Sequence, residues 1–445
     1  MNIICTDFRR LVAACCFLLL VPGAYASGLA ESIAKDYDEN LDGLFKWFHA
    51  NPELSLQEFD TAERLATELE AAGFSVTRNI ATTGLVGVMR NGEGPTLMIR
   101  ADMDGLPIPE KSGLPYASSR RQVNLDGIEE PVMHACGHDM HMTTLVGVAH
   151  QMAARRDQWQ GTLMLLGQPA EEGGDGALKM VQDGVYEKLG RPDYALALHV
   201  NSVTPAGKIA FRGGLMYSSV DMIKVIIPGV GTHGAAPHKG KDPIVIGAQI
   251  VMALQTVVTR EVSPLVPALI TVGSFHAGSA PNIISDEAVL ELTVRANDQD
   301  THDMLVRSIR RVVENVGRTA GMPEDKLPRM IVESGSAPTT VNDHDLAKRV
   351  RAAMEAGMGP DAFMPYEQTD MGGEDFPYLV QLDPPIPSVY FRVGGTPQAD
   401  FDAEAAGGPA VPAHHSPIFK IAPRPSVTAG VEAMTLAALD LLAKP

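Results

Sequence analysis

The chain has 445 residues, 45% of them hydrophobic and 20% charged, a composition that packs a sizeable core and excludes wholesale disorder. Its length fits two or three domains at roughly 150 residues each. A formal charge of −18, scattered Lys and Arg, and aromatics at 5% argue against a nucleic-acid partner, which would meet a repelling field and few stacking platforms.

At the N-terminus, Arg9 and Arg10 precede the apolar run Leu11–Val21, and Ala24-Tyr25-Ala26 is a small-x-small cleavage site. Residues 1–26 therefore read as a signal peptide and the protein as exported, periplasmic or secreted, by the general or the twin-arginine route. The run is about half the ~20 residues that a membrane span needs. Cys5, Cys15 and Cys16 leave with this segment, and Cys136 is then the one cysteine left. No internal disulfide can form, and a lone thiol in an oxidising compartment calls for a use.

Ala30–Gly73 reads as two helices, the second with Ala62, Leu65, Ala66 and Leu69 at helical spacing. Leu85–Arg90 and Thr96–Ala101 read as strands joined by a hairpin-like turn, Asn91-Gly92-Glu93-Gly94. Met142–Arg155 follows as a helix, then Gly161–Gly167 and Asp193–His199 as buried strands. This alternation predicts an α/β layer with a largely buried sheet. From residue 214 the order becomes Ser219–Ile227 strand, Asp242–Arg260 helix, Leu269–Phe275 and Glu287–Arg295 strands, Asp300–Gly317 helix and Met330–Glu333 strand. That order, β-α-β-β-α-β, is the split βαβ of a ferredoxin-like α+β unit. The expected division is 27–213 and 337–445 for one domain, with 214–336 inserted.

The chemistry lies at strand ends. Cys136 and His138 in His134-Ala135-Cys136-Gly137-His138-Asp139 offer a thiolate and an imidazole suited to Zn²⁺ or another borderline divalent ion; alone, they also fit a buried Cys beside a core His. Gln168-Pro169-Ala170-Glu171-Glu172-Gly173-Gly174 follows a buried strand, where one carboxylate held by a metal and one free to move a proton is a workable division. His199 ends another apolar strand, and His414-His415-Ser416-Pro417 is uninformative alone. Arg100-Ala101-Asp102-Met103-Asp104 closes a strand of the same expected sheet.

Together these motifs resemble the di-metal aminoacylase and carboxypeptidase superfamily. The branch most similar holds hippurate hydrolase, the indole-acetyl-amino-acid hydrolases and N-acetyl-diaminopimelate deacetylase. The resemblance rests on R-A-D-M-D-G-L-P, H-A-C-G-H-D-M-H, P-A-E-E-G-G, A-L-H-V and H-S-P, and runs from His49-Ala50-Asn51-Pro52-Glu53-Leu54 to His415. It implies a mixed-sheet di-metal peptidase catalytic domain with an inserted lid and dimerisation domain, and hence a homodimer. It also implies cleavage of N-acyl amino acids or dipeptides.

By the same resemblance, Cys136, His138, Glu172, His199 and His415 would ligate two divalent ions, Zn or Mn first, Co or Ni next. Glu171 would be the general base. Asp102 would orient a ligand, with Arg100-Ala101-Asp102 standing where related branches have His-x-Asp; Asp104 is the alternative. On the insert, His233 in Gly231-Thr232-His233-Gly234-Ala235-Ala236-Pro237-His238 would polarise the scissile carbonyl, from a partner subunit in relatives. The family pattern has Gly and Ala where this chain has Thr232 and Gly234. Asn282 and Arg295 would hold the substrate carboxylate. Two other readings stand beside this one: Cys136 as a covalent nucleophile, which would need its own base and oxyanion hole, and an inactive metal- or peptide-binding protein on the same fold.

Overall fold

The computed structural model describes residues 22–444, so most of the expected signal peptide lies outside the described residues. A helix over Pro22–Asp36 runs across the expected cleavage point.

The first layer is a seven-stranded sheet in the order Ser75–Ile80, Gly84–Asn91, Gly161–Gln168, Thr96–Asp102, Tyr194–Pro205, Ser388–Thr396, Ile209–Ala210. Its four central strands run parallel, and the outer ones pair antiparallel. A parallel core is buried on both faces, which is why Leu163–Leu166, Ala195–Leu198 and Val389–Phe391 read as unbroken apolar runs. Helices His138–Ala154 and Pro423–Leu441 pack on each other and on this sheet. Because the central strands are parallel, their carboxyl ends share one edge, where α/β folds place their sites.

Two local expectations are corrected. Leu85–Arg90 and Thr96–Ala101 do not form a hairpin: Gly161–Gln168 lies between them, antiparallel to the first and parallel to the second. The link passes over the start of the intervening strand, where the Thr162 amide donates to the Pro95 carbonyl at 2.9 Å. Gly161 makes that crossing fit, since it has φ +106° and a Cβ there would stand 2.2 Å from the Pro95 oxygen. The helix expected over Met142–Arg155 begins at His138, so His138 sits in its first turn, and the polar run His138–His141 is buried rather than looped.

The second layer is a four-stranded antiparallel sheet in the order Ala268–Ala277, Glu287–Ala296, Ser219–Pro228, Arg329–Val332. Helices Pro243–Arg260 and Gln299–Thr319 pack on each other and on this sheet, with a core of their own that includes Ile223, Val225, Leu254, Leu290, Leu292 and Ile309. The chain leaves the first layer through Gly214–Tyr217 and returns through Thr340–Asn342, and these two segments pair antiparallel.

Gly161→Ala should lower the free energy of unfolding by about 2–4 kcal/mol, because it combines a left-handed φ with a backbone clash. Chemical denaturation of the variant checks this; an unchanged midpoint would contradict the crossing described here.

Candidate metal centre

The carboxyl edge of the parallel sheet gathers the donors. Cys136 and His138 stand at the start of the His138–Ala154 helix, and Glu171 and Glu172 on the turn after Gly161–Gln168. His199 lies within Tyr194–Pro205, and His415 is on a loop pinned by its amide to the Ala135 carbonyl at 2.9 Å. The Cys136 Sγ is 3.4 Å from His199 Nε2, and His415 Nε2 is 3.4 Å from Glu172 Oε1. His138 Nε2 lies 3.8 Å from Glu171 Oε2 and 3.9 Å from Glu172 Oε1.

These residues fit divalent ions. The other ring nitrogens of two histidines are already committed: His138 Nδ1 lies 2.8 Å from the Asp104 carbonyl and His199 Nδ1 lies 2.6 Å from the Val200 carbonyl. That fixes the tautomer and aims each Nε2 into the site. His138 Nε2 and Glu172 Oε1 are buried without a hydrogen-bond partner, a cost that a ligated cation removes. Two donor sets, Cys136–His138–His199 and Cys136–Glu172–His415, each fall within 4.8 Å and share the Cys136 sulfur, an arrangement suited to two neighbouring ions.

Electrostatics point the same way. Burial, then Glu172 and Glu171, pushes the Cys136 thiol well above its usual range. Burial, then Glu374 and Glu172, pushes Glu171 well up. Burial, then His141 and His414, pushes His199 well down. Burial alone would depress His138, but Asp102, Asp104 and Glu172 outweigh it and push it up to about 10. The protein alone thus carries an excess of carboxylate that divalent cations would offset.

Both Asp102 and Asp104 reach His138, from opposite sides of its ring. The Asp104 carboxylate accepts the amides of Glu171 and Glu172, both at 3.1 Å, and its Oδ1 lies 3.3 Å from His138 Nδ1. Asp102 accepts from Arg100 Nη1 at 2.6 Å, lies 2.6 Å from His141 Nδ1 and places its Oδ2 3.7 Å from His138 Nε2. His141 in turn accepts the Val200 amide at 2.8 Å, which secures the strand beside His199.

Glu171, Glu172, Cys136, His199 and His415 border one cavity of about 610 Å³, with Arg295 on the same wall. His233 and Asn282 do not reach it. They share a separate open hollow on the second layer with Thr232 and Ile283. The residues that sequence reasoning passed over are His141, Glu374, Asp375, His414 and Arg392. His141 was visible as the last residue of H-D-M-H, whereas Gly372-Gly373-Glu374-Asp375 follows no apolar run that marks a strand end.

The sequence pattern of peptidase family M20/M25/M40 matches residues 98–406. The chain belongs to this family. It is 35% identical over 349 residues to the N-acetyl-L-cysteine deacetylase of Bacillus subtilis, covering 78% of this chain and 79% of the relative. It is likewise 35% identical to the hippurate hydrolase of Campylobacter jejuni, covering 75% and 83%. Among solved structures, the Bacillus subtilis YxeP protein, described as a dinuclear metal-binding peptidase of family M20, aligns with TM-score 0.72 at 27% identity, over 93% of this chain and 99% of that one. A putative aminohydrolase from methicillin-resistant Staphylococcus aureus aligns with TM-score 0.80 at 29% identity, over 94% and 100%. As a member of family M20/M25/M40 with its acidic donor set complete, the chain is a metal-dependent amide hydrolase.

Asp104→Ala should weaken metal binding about 10–100-fold, because it frees the Glu171–Glu172 turn and removes the carboxylate beside His138, although the backbone carbonyl still holds that ring. Metal titration of the purified variant measures this, and affinity within about twofold of wild type would sink the assignment.

Proposed function

We propose that this hydrolase cleaves the amide bond of N-acyl amino acids or dipeptides with Glu171 as general base. The observation that carries it is one cavity holding a buried carboxylate outside the two shared donor sets, Glu171, beside an unpaired cation, Arg295. Arg295 is half-buried and bonds only Thr293 Oγ1 at 3.1 Å and the Met371 carbonyl at 3.5 Å, with no carboxylate in ion-pair distance among the described residues. It is free to take the carboxylate of an amino-acid product. The named activities of the deacetylase and hippurate hydrolase relatives support the same substrate class.

When bound, two divalent ions would lower the pKa of water from 15.7 to roughly 7 and polarise the scissile carbonyl. Cys136, His138, Glu172, His199 and His415 would hold them, and a mixed thiolate, imidazole and carboxylate set suits Zn²⁺ or Mn²⁺. Glu171 accepts the proton of the attacking water and delivers it to the leaving amine. Its raised pKa, set by burial and by Glu374 and Glu172, matches an acid–base group better than an ordinary exposed carboxylate would.

His233 is exposed and lies outside its own chain's cavity, which fits a role across a dimer. The second layer also presents an apolar helix face, Ile244, Val245 and Met252, for a second copy to cover. Export as a periplasmic or secreted protein rests on residues 1–26 and is part of this proposal.

Glu171→Gln should retain metal and fold while turnover drops at least about 100-fold; more than about a tenth of wild-type activity would remove the general-base role. Mixing inactive Glu171→Gln and His233→Ala subunits should restore up to about a quarter of wild-type activity, since half of randomly exchanged dimers are mixed and half of their sites complete. No recovery after verified exchange would place His233 outside the partner's site.

A further inference from the structure

Among the described residues two arginines are buried, Arg100 and Arg392, and their surroundings differ. Arg100 donates to Asp102, to Glu374 at 2.7 Å and to Asp375 at 3.2 Å, so its charge is compensated three times over. Arg392 is 5% exposed and has no carboxylate in ion-pair distance among the described residues. Its one hydrogen bond there runs from Nε to the Tyr217 hydroxyl at 3.3 Å. The rings of Tyr217 and Tyr366 each lie 4.9 Å from its guanidinium carbon. These rings hold the side chain in place and favour its charge, but they leave its Nη groups without an acceptor.

Arg392 borders the same cavity as Glu171, Glu172 and Arg295, and it pairs with His199 across neighbouring strands. A buried guanidinium without a counter-ion is costly unless an anion arrives to meet it. The nearby acids are engaged elsewhere: Arg100 and Tyr390 hold Glu374, and Arg100, Gln168 and the Ala177 amide hold Asp375. Asp370, also on the wall, accepts the Gly372 amide and forms no ion pair with either arginine. The cavity thus presents two unpaired cations, whereas a simple N-acyl amino acid brings one carboxylate.

We propose that Arg392 binds a second carboxylate on the substrate, so that the enzyme prefers N-acyl amino acids with two carboxylates to those with one. This rests on the reading of Arg295 as the site of the first. The second carboxylate comes either from an acidic side chain or from a dicarboxylic acyl group, and both present the same planar anion to a guanidinium.

The test compares matched pairs on the metal-loaded enzyme: N-acetyl-L-glutamate against N-acetyl-L-glutamine, and N-succinyl-L-leucine against its terminal succinamide. Wild type should prefer the acid at least about tenfold in kcat/KM in one pair, and that pair names the source. Arg392→Gln should cut this preference at least about tenfold, and Arg392→Lys should keep part of it. A purely structural role would lower both members of a pair alike, so an unchanged ratio in Arg392→Gln overturns the proposal. Wild type without preference in either pair overturns it too. If Arg392→Gln does not fold, the ratio in Arg392→Lys decides. Calorimetric binding of the same four ligands to Glu171→Gln enzyme, with and without the Arg392 substitution, reads the ratio without turnover. An enzyme that binds the acids preferentially but cleaves none of the four would sink the hydrolytic reading and leave this one standing.

Discussion

The arrangement of the site depends on how the buried edge of the first sheet disposes of its negative charge. Asp102, Asp104, Glu171, Glu172, Glu374 and Asp375 all converge there, and six carboxylates cannot share a low-dielectric edge unaided. Arg100 divides them into two groups. It engages Asp102, Glu374 and Asp375 from within the sheet, with Gln168 Oε1 accepting its Nε at 2.7 Å, and has no hydrogen bond to Asp104, Glu171 or Glu172. One group shares a single fixed cation, and the other meets only histidines and the ions they would help to hold. Replacing Arg100 by an apolar residue would merge the groups and strand three buried carboxylates.

Backbone placement then converts this charge pattern into geometry. Ala170 has φ +51°, which turns the chain sharply between the strand and Glu171. Glu58 holds that turn: its Oε1 accepts the Ala170 amide at 2.9 Å, and its Oε2 accepts the Thr83 hydroxyl at 2.5 Å. Burial and the neighbouring Asp104 push Glu58 up to about 7, so it is itself part of the acidic load. The two glutamates are adjacent in sequence and equally near His138, yet differ in surroundings, because the same turn sends Glu172 to His415 and Glu171 towards Glu374 and Asp375. Different surroundings are what let two identical side chains do different work.

Much of this was legible in the sequence, since metal donors at the ends of apolar runs are a local signal and parallel strands bring such ends together. The different surroundings of Asp102 and Asp104 show where that signal stops. Residues 100, 102 and 104 have the same parity along an extended chain, so alternation cannot separate the two aspartates. What separates them is the reach of Arg100, which no pattern of apolar and polar positions contains. The missing hairpin has a similar cause. A four-residue link reaches about 13 Å, enough to pass over one strand and join its neighbours about 10 Å apart. Asn-Gly-Glu-Gly is therefore compatible with a tight turn and with a crossing. Arg392 carried no signal, because its meaning lies in the absence of a partner.

The two layers are not independent of the chemistry, because the cavity is walled by both. Tyr217, Val220, Met222, Arg295 and Ala337 come from the second layer and its connections, while Glu171, Glu172 and His199 come from the first. The layers meet at the Glu171–Gly174 turn itself: a Cβ on Gly174 would stand 2.6 Å from the Gly335 Cα, so the backbones touch three residues after Glu171. The Glu171 carbonyl accepts the Gly174 amide at 2.7 Å, which makes that contact part of the same tight turn. Moving the second layer would therefore press directly on the segment that carries Glu171. A substrate bridging Arg295 on one layer and the donor set on the other would favour the separation at which both are reached, and that same separation fixes the turn. With Arg295 as the proposed carboxylate site, binding energy gained there would help to hold Glu171 in place, a coupling that needs no contact between the substrate's far end and the reacting bond.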